Sequence, residues 1–138
     1  MQLTRATEYA IRGLVCLNDG KRGRDVRNLS ERLDIPESFL AKIFASLAKA
    51  GIVVSQRGRH GGYRLAKKPD GVSLKRIIEA TEGPLALTRC LGPFAACDRT
   101  PCGLKKIFAL AQKRMEEVLE NVTLADLKGR AASRKRKR

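Results

Sequence analysis

The chain has 138 residues, enough for one domain with a modest hydrophobic core. Its 29 Lys and Arg outnumber its 14 Asp and Glu, giving a net charge of +15, and removing the seven basic residues of 128–138 leaves 22 against 14, or +8. A body this basic indicates a polyanionic partner. The N-terminus lacks the apolar core of a signal peptide and no apolar run is as long as a membrane span, so we expect a cytoplasmic protein that does not enter a membrane.

The first fifty residues predict three helices. Apolar residues recur every three or four positions from Leu3 to Asn18, and Asp19-Gly20 ends this first helix. A shorter helix follows over Val26–Leu33. After a tight turn the third helix begins at Pro36, where proline is tolerated, and ends at Gly51 in the left-handed conformation. Its predicted inner face consists of Phe39 or Leu40, Ile43, Phe44 and Leu47.

A hairpin and a fourth helix come next. The segments Ile52–Gln56 and Gly62–Ala66 flank the glycine-rich turn Arg57-Gly58-Arg59-His60-Gly61, which predicts two short antiparallel strands with a basic tip. Ser73 then suits the N-cap of a helix over Leu74–Thr81.

The C-terminal third combines a loop, a long helix and a tail. No periodic pattern covers 85–101, whereas Gly103–Glu120 is amphipathic. Its apolar stripe consists of Leu104, Ile107, Phe108, Ala111, Met115, Val118 and Leu119. A monomer of this size covers such a stripe only in part, which predicts a dimerisation helix. We expect residues 121–127 to taper off and the basic segment 128–138 to be disordered.

Taken in order, these elements predict a mainly α fold: a winged helix-turn-helix with a small β-hairpin wing and a long C-terminal dimerisation helix. The predicted regions are a DNA-binding domain at 1–84, a cysteine-bearing loop at 85–102, the dimerisation helix at 103–121 and a C-terminal segment with the basic tail at 122–138.

Two parts of this fold can reach double-stranded DNA. The N-terminal turns of the third helix fit the major groove, and a basic hairpin tip can approach phosphates or the minor groove. The predicted DNA-binding residues are Ser38, Ala41, Lys42, Arg57, Arg59 and His60. The alternative is a solvated helix face beside an ordinary charged turn. A nonspecific nucleic-acid-binding protein would also suit the basic tail.

An enzyme is not predicted. His60 is the only histidine and lies in the basic turn, and the sequence places no nucleophile beside a base.

Three of the four cysteines are clustered. Cys90, Cys97 and Cys102 fall in one loop with glycine and prolines, whereas Cys16 lies in an apolar helical stretch where a small buried hydrophobe is expected. In a cytosolic chain, a cluster of thiols favours metal or redox chemistry over a structural disulfide. The spacing leaves open an iron–sulfur cluster, a zinc site, a thiol redox switch, or packing without chemistry.

Several segments resemble a known family. They are Leu3-Thr-Arg-Ala-Thr-Glu-Tyr-Ala, Leu29-Ser-Glu-Arg-Leu, Phe39-Leu-Ala-Lys-Ile, Gln56-Arg-Gly-Arg-His-Gly-Gly-Tyr-Arg-Leu, Ile78-Glu-Ala-Thr-Glu-Gly and Thr123-Leu-Ala-Asp-Leu. Over residues 1–127 the chain is similar to the bacterial winged-helix iron–sulfur transcription regulators, the family that includes IscR, NsrR and RirA. The resemblance implies a homodimer that reads a pseudo-palindromic operator, with a long helix crossing its twin. The family's wing arginine corresponds to Arg57.

The resemblance also implies a 2Fe-2S or 4Fe-4S cluster on the three loop cysteines. Such a cluster needs a fourth ligand. IscR-like members place a histidine three residues after the last cysteine, where this chain has Lys105. NsrR-like members use a carboxylate near the start of helix one, supplied across the dimer, and Glu8 stands at that position. The alternative for Glu8 is an ion pair with Arg12, one helical turn away.

The expected function is therefore a dimeric, sequence-specific DNA-binding regulator, most simply a repressor, in which a cluster senses redox state, nitric oxide or iron. The alternative is a cluster-free or thiol-switch regulator of the same fold. Because IscR carries an acid and an amide at the positions of Ala41 and Lys42, the resemblance implies a different operator from that of IscR.

Overall fold

Helices dominate the computed structural model, which describes residues 2–18, 24–59, 61–94, 97 and 101–128. The helices are α1 (Arg5–Asn18), α2 (Val26–Leu33), α3 (Glu37–Lys49), α4 (Leu74–Glu82) and α5 (Gly103–Asn121). The strands β1 (Val53–Gln56) and β2 (Gly62–Leu65) form an antiparallel hairpin in which Val53 faces Leu65. Two 3-10 turns, Pro69–Gly71 and Arg89–Leu91, and a final helical turn at 124–128 complete the described elements.

Local signals fix the helix ends. The Asp25 side chain caps α2 by accepting from the Asn28 amide at 2.6 Å, and Ser73 caps α4 by accepting from the Arg76 amide at 3.3 Å. Such caps each stabilise a helix by about 1 kcal/mol. Gly51 has a φ of 71° after α3, as predicted. The predicted stop of α1 at Asp19-Gly20 lies outside the described residues.

The core lies between α1, α3 and α4 and is closed by β1. Its largest fully buried side chains include Leu14, Leu29, Leu40, Phe44, Leu47, Ile52 and Ile77. Of the two candidates on α3, Leu40 is buried and Phe39 is exposed. Phe39 instead meets the Tyr9 ring edge-on, with the ring centroids 5.8 Å apart.

The wing gains a third extended segment from the chain before α2. The Arg24 amide donates to the Tyr63 carbonyl at 2.9 Å, and the Tyr63 amide donates back to Arg24 at 2.7 Å. This pairing brings the Arg24 backbone against Gly62, whose φ is 120°, and a Cβ at that glycine would overlap it. Glycine is therefore required at position 62.

Residues 122–124 return to the core, so the prediction that 121–127 taper off is wrong. The Leu74 amide donates to the Val122 carbonyl at 2.7 Å, and the Leu124 amide donates to Val72 at 2.9 Å. Leu124 is fully buried in the same cluster as the α1 and α3 side chains. A stretch this short is below the length at which a periodic pattern is recognised in sequence.

Helix α5 has two different faces. It lies along α4, where Lys75 pairs with Glu116 at 3.6 Å and the Ser73 hydroxyl donates to Glu120 at 3.2 Å. Met115 and Leu119, which were predicted in one stripe with the other apolar residues, are half-buried. The outward face carries Leu104, Ile107, Leu110 and Val118, which are 63, 62, 59 and 63% exposed. Within the described ranges, no helix is long and apolar enough to cross a membrane.

Candidate nucleic-acid interface and cysteine loop

The outer face of α3 is free for recognition. Ser38, Ala41 and Lys42 are all exposed, because the buried Leu40 and Ile43 turn the opposite side of the helix to the core. The exposed side combines a hydroxyl, a methyl group and an ammonium group within one and a half turns. These groups can hydrogen-bond base edges, contact thymine methyl groups and pair with phosphates.

The wing presents arginines on a tight turn. Arg57 and Arg59 are exposed on either side of Gly58, whose φ of 105° favours glycine. The Gly61 amide closes the turn by donating to the Gly58 carbonyl at 2.8 Å. The predicted contact residue His60 lies outside the described residues.

Two further arginines near the wing were not predicted from the sequence. Arg64 is exposed on β2, and the two-residue period of a strand would have identified it, because its neighbour Tyr63 packs on Phe44 with ring centroids 5.1 Å apart. Arg24 carries a buried Nε for which the described residues offer no hydrogen-bond partner. Its place beside the wing follows from the backbone pairing with Tyr63, which no sequence pattern indicates.

The three loop cysteines lie in different settings. Cys90 belongs to the Arg89–Leu91 turn with its Sγ 3.0 Å from the Thr88 hydroxyl, Cys97 is exposed, and Cys102 directly precedes α5. All are free thiols. Thiolates are the donors that iron–sulfur clusters take, and three of the four needed are present in this loop. The described part of the loop, without 95–96 and 98–100, does not gather them: among described residues no three His, Cys, Asp or Glu lie together as metal ligands.

Glu8 lies on the exposed side of α1. The alternative given for Glu8, an ion pair with Arg12, does not form, since no ion pair of Glu8 occurs among the described residues. Arg12 instead donates to the Leu33 carbonyl at 3.2 Å and lies 5.9 Å from the Tyr9 ring centre. The Glu8 carboxylate is thus accessible to a ligand or a second chain.

The residue before Glu8 ties α1 to the end of α4. Thr7 is fully buried, and its hydroxyl donates to the Glu82 carboxylate, which also accepts from the Thr4 amide at 2.7 Å. These donors, Thr7 foremost, hold the pKa of Glu82 below its ordinary value, although desolvation acts in the opposite direction. No pattern in the sequence pointed to this contact, because the two residues are 75 positions apart.

Comparison with known proteins identifies the family. The family described as Rrf2, iron-dependent transcriptional regulator, matches residues 3–130. The chain belongs to the Rrf2 family. Its members are transcription regulators and not enzymes, so the predicted resemblance, the winged-helix fold and the absence of an enzymatic function are confirmed.

Individual Rrf2 relatives are similar over nearly the whole chain. The HTH-type transcriptional regulator NsrR of Geobacillus kaustophilus (strain HTA426) is 38% identical over 134 residues, covering 92% of this chain and 89% of that protein. The solved structure of T. potens IscR has a TM-score of 0.76 at 28% identity, covering 95% and 88% of the two chains. That of CymR, named the global cysteine regulator of B. subtilis, has a TM-score of 0.77 at 25% identity, covering 94% and 97%. DNA-binding transcription regulation is the function that these findings support.

Proposed function

We propose that the chain is a cytoplasmic, dimeric repressor that binds a specific DNA operator and whose affinity for it depends on an iron–sulfur cluster. One observation carries the proposal: the three-thiol loop runs directly into α5, with Cys102 next to Gly103. Chemistry at the thiols therefore acts at the start of the helix that joins two subunits. The proposed regions are the DNA-binding domain 1–84, the loop 85–102, the dimerisation helix 103–121 and the segment 122–138.

DNA contact is assigned to α3 and the wing. Ser38, Ala41 and Lys42 read the major groove, and Arg57, Arg59 and His60 contact the adjacent backbone or minor groove. The net charge of +15 supports this assignment, because phosphate contacts supply a large share of the affinity of DNA-binding proteins.

The dimer is assigned to the outward face of α5. Four large apolar side chains on one helix face, each about three-fifths exposed, need a cover that the described chain does not provide. A second copy supplies a matching face under two-fold symmetry. Two copies then place two recognition helices on half-sites of a pseudo-palindrome.

The cluster is assigned to Cys90, Cys97 and Cys102, with Glu8 of the partner subunit as the fourth ligand. The free thiols, the accessible Glu8 carboxylate and the 38% identity to an NsrR support this set. When bound, an iron–sulfur cluster supplies redox-active iron held by soft thiolates. The side chains of this chain do the rest: the loop thiolates bind from one subunit, and the Glu8 carboxylate binds from the surface of α1 in the other.

A thiol switch without a cluster is the second candidate. It is favoured by the described conformation, which does not gather the cysteines, and by the likeness to a cysteine regulator at 25% identity. In that case oxidation of loop thiols, not loss of iron, would change DNA affinity.

Purification without oxygen separates the two candidates. We expect a coloured, iron-containing protein, little iron after replacement of Cys90, Cys97 or Cys102 by Ser, and full iron in the control Cys16→Ser. Operator affinity, measured by footprinting, should fall when the cluster is removed. A colourless protein whose DNA binding responds only to thiol oxidants would establish the second candidate. Full iron in Cys97→Ser would contradict the three-cysteine site.

The fourth ligand needs a separate test because Glu8→Ala leaves all thiols in place. We expect a cluster with an altered spectrum or a shorter lifetime in air. An unchanged spectrum and lifetime would remove Glu8 from the ligand set.

A further inference from the structure

Gln112 of α5 holds the first residues of the cysteine loop. Its Oε1 accepts from the Leu87 amide at 3.1 Å, and its Nε2 donates to the Leu85 carbonyl at 3.2 Å. One side-chain amide thus satisfies both a backbone donor and a backbone acceptor of the segment that opens the loop. Leu85 is buried, so this segment is fixed by packing as well.

The same amide is oriented by Glu116, one turn further along α5, which is itself paired with Lys75 of α4. Its Nε2 also donates to Glu116 Oε1 at 2.9 Å, and Glu116 Oε2 pairs with Lys75 Nζ at 3.6 Å. All three hydrogen bonds require Oε1 to face Leu87 and Nε2 to face the two acceptors, so the amide has one allowed orientation. A continuous polar chain therefore runs from α4 of the DNA-binding unit through Gln112 to the loop.

The fixed segment leads straight to the first cysteine. Leu87 precedes the turn in which the Leu91 amide donates to the Thr88 carbonyl at 3.1 Å, and the Thr88 side-chain hydroxyl lies 3.0 Å from Cys90 Sγ. If the Leu87 amide is released, the start of this turn loses its anchor on α5. The thiol of Cys90 then loses its fixed position and its partial cover.

We propose that Gln112 is a positioning residue for Cys90: it anchors the loop on α5 and sets the exposure and reactivity of that thiol. This inference rests on the proposed function only in taking the cysteine loop as the sensing site. The series of polar contacts from Lys75 through Glu116 to Gln112 makes the Cys90 thiol sensitive to the relative placement of α4 and α5. A change at the loop is likewise passed to α4.

Site-resolved alkylation tests the assignment on the full-length, reduced, metal-free protein. Iodoacetamide modification of Cys16, Cys90, Cys97 and Cys102 is followed over time by mass spectrometry. In Gln112→Ala we expect Cys90 to react about tenfold faster, the change that corresponds to losing roughly one net hydrogen bond of protection. Gln112→Glu should act in the same direction, because a carboxylate cannot donate to Leu85 and repels Glu116. Lys113→Ala, an exposed neighbour, is the matched control.

The alkylation rate of the half-buried Cys16 distinguishes a positioning role of Gln112 from a general loss of stability. A merely structural role for Gln112 would raise the reactivity of Cys16 together with that of Cys90, and this result would overturn the proposal. An unchanged Cys90 rate in both Gln112 variants would also overturn it. Since no metal is present, a selective rise at Cys90 supports the assignment even if the protein binds no cluster.

Discussion

The outward face of α5 gives a dimerisation test whose size follows from exposure. Ile107 is 62% exposed, and full burial of an isoleucine contributes about 1.5–3 kcal/mol, so its contact with a second copy contributes about 1–2 kcal/mol per subunit. Because a two-fold dimer contains two copies of this contact, the contribution to the free energy of dimerisation is doubled. Ile107→Asp should therefore raise the dimer dissociation constant about 30- to 700-fold, at about 1.4 kcal/mol per factor of ten. Desolvation of two new carboxylates increases the effect further.

Sedimentation equilibrium over a range of concentrations measures this constant directly. Lys113→Asp is the control, because it introduces the same carboxylate at an exposed position outside the apolar face. Met115 is a poor choice of site, since it is half-buried within its own chain and its replacement would also disturb the monomer. Operator affinity should fall with dimerisation in Ile107→Asp. If both variants keep the parent dissociation constant, α5 is not the interface and the geometry assigned to the operator is wrong.

Three further predictions concern the core, the pH dependence and the DNA. Leu124→Ala should lower the free energy of unfolding by about 2.7–5 kcal/mol in urea titrations, whereas the exposed Ala125→Ser should change it little; equal, small effects would contradict the burial of Leu124. The lowered pKa of Glu82 stabilises the fold at pH values above the pKa of the unfolded state, and this contribution is lost as the pH falls through the lower pKa of the folded state. The difference in free energy of unfolding between the parent and Glu82→Gln should thus be constant near neutrality and shrink as the pH falls through the folded-state pKa of Glu82. A difference that does not change with pH would refute this linkage. Arg57→Ala should weaken operator binding by about 1–3 kcal/mol, whereas deleting 134–138 should weaken binding to all DNA equally and flatten its salt dependence; the reverse pattern in filter binding would argue against the wing contact.

The elements with local signals were predictable from sequence, and the contacts between distant residues were not. The cap at Ser73, the turn at Gly51 and the hairpin around Gly58 follow from the preferences of single residues. The alternatives on α3 differed by one position, and only the packed core decides that Leu40 is buried and Phe39 exposed.

At the candidate site the same division holds. The exposed arginines and the three thiols are visible as residue types in the sequence. The anchoring of the loop by Gln112 is not, because a glutamine in an amphipathic helix carries no signal for a partner 25 residues away. The return of Leu124 to the core was not predicted for a related reason: its hydrogen bond to Val72 joins segments that are far apart in the chain.

The buried position of Leu124 also bears on how the chain folds. The core cluster that contains Leu14 of α1 also contains Leu124, so it is complete only when distant parts of the sequence have met. Contacts this far apart in sequence slow folding, because the loop between them must be closed first. The local helices can therefore form before the core is complete, and until Leu124 packs, the DNA-binding unit has an open side.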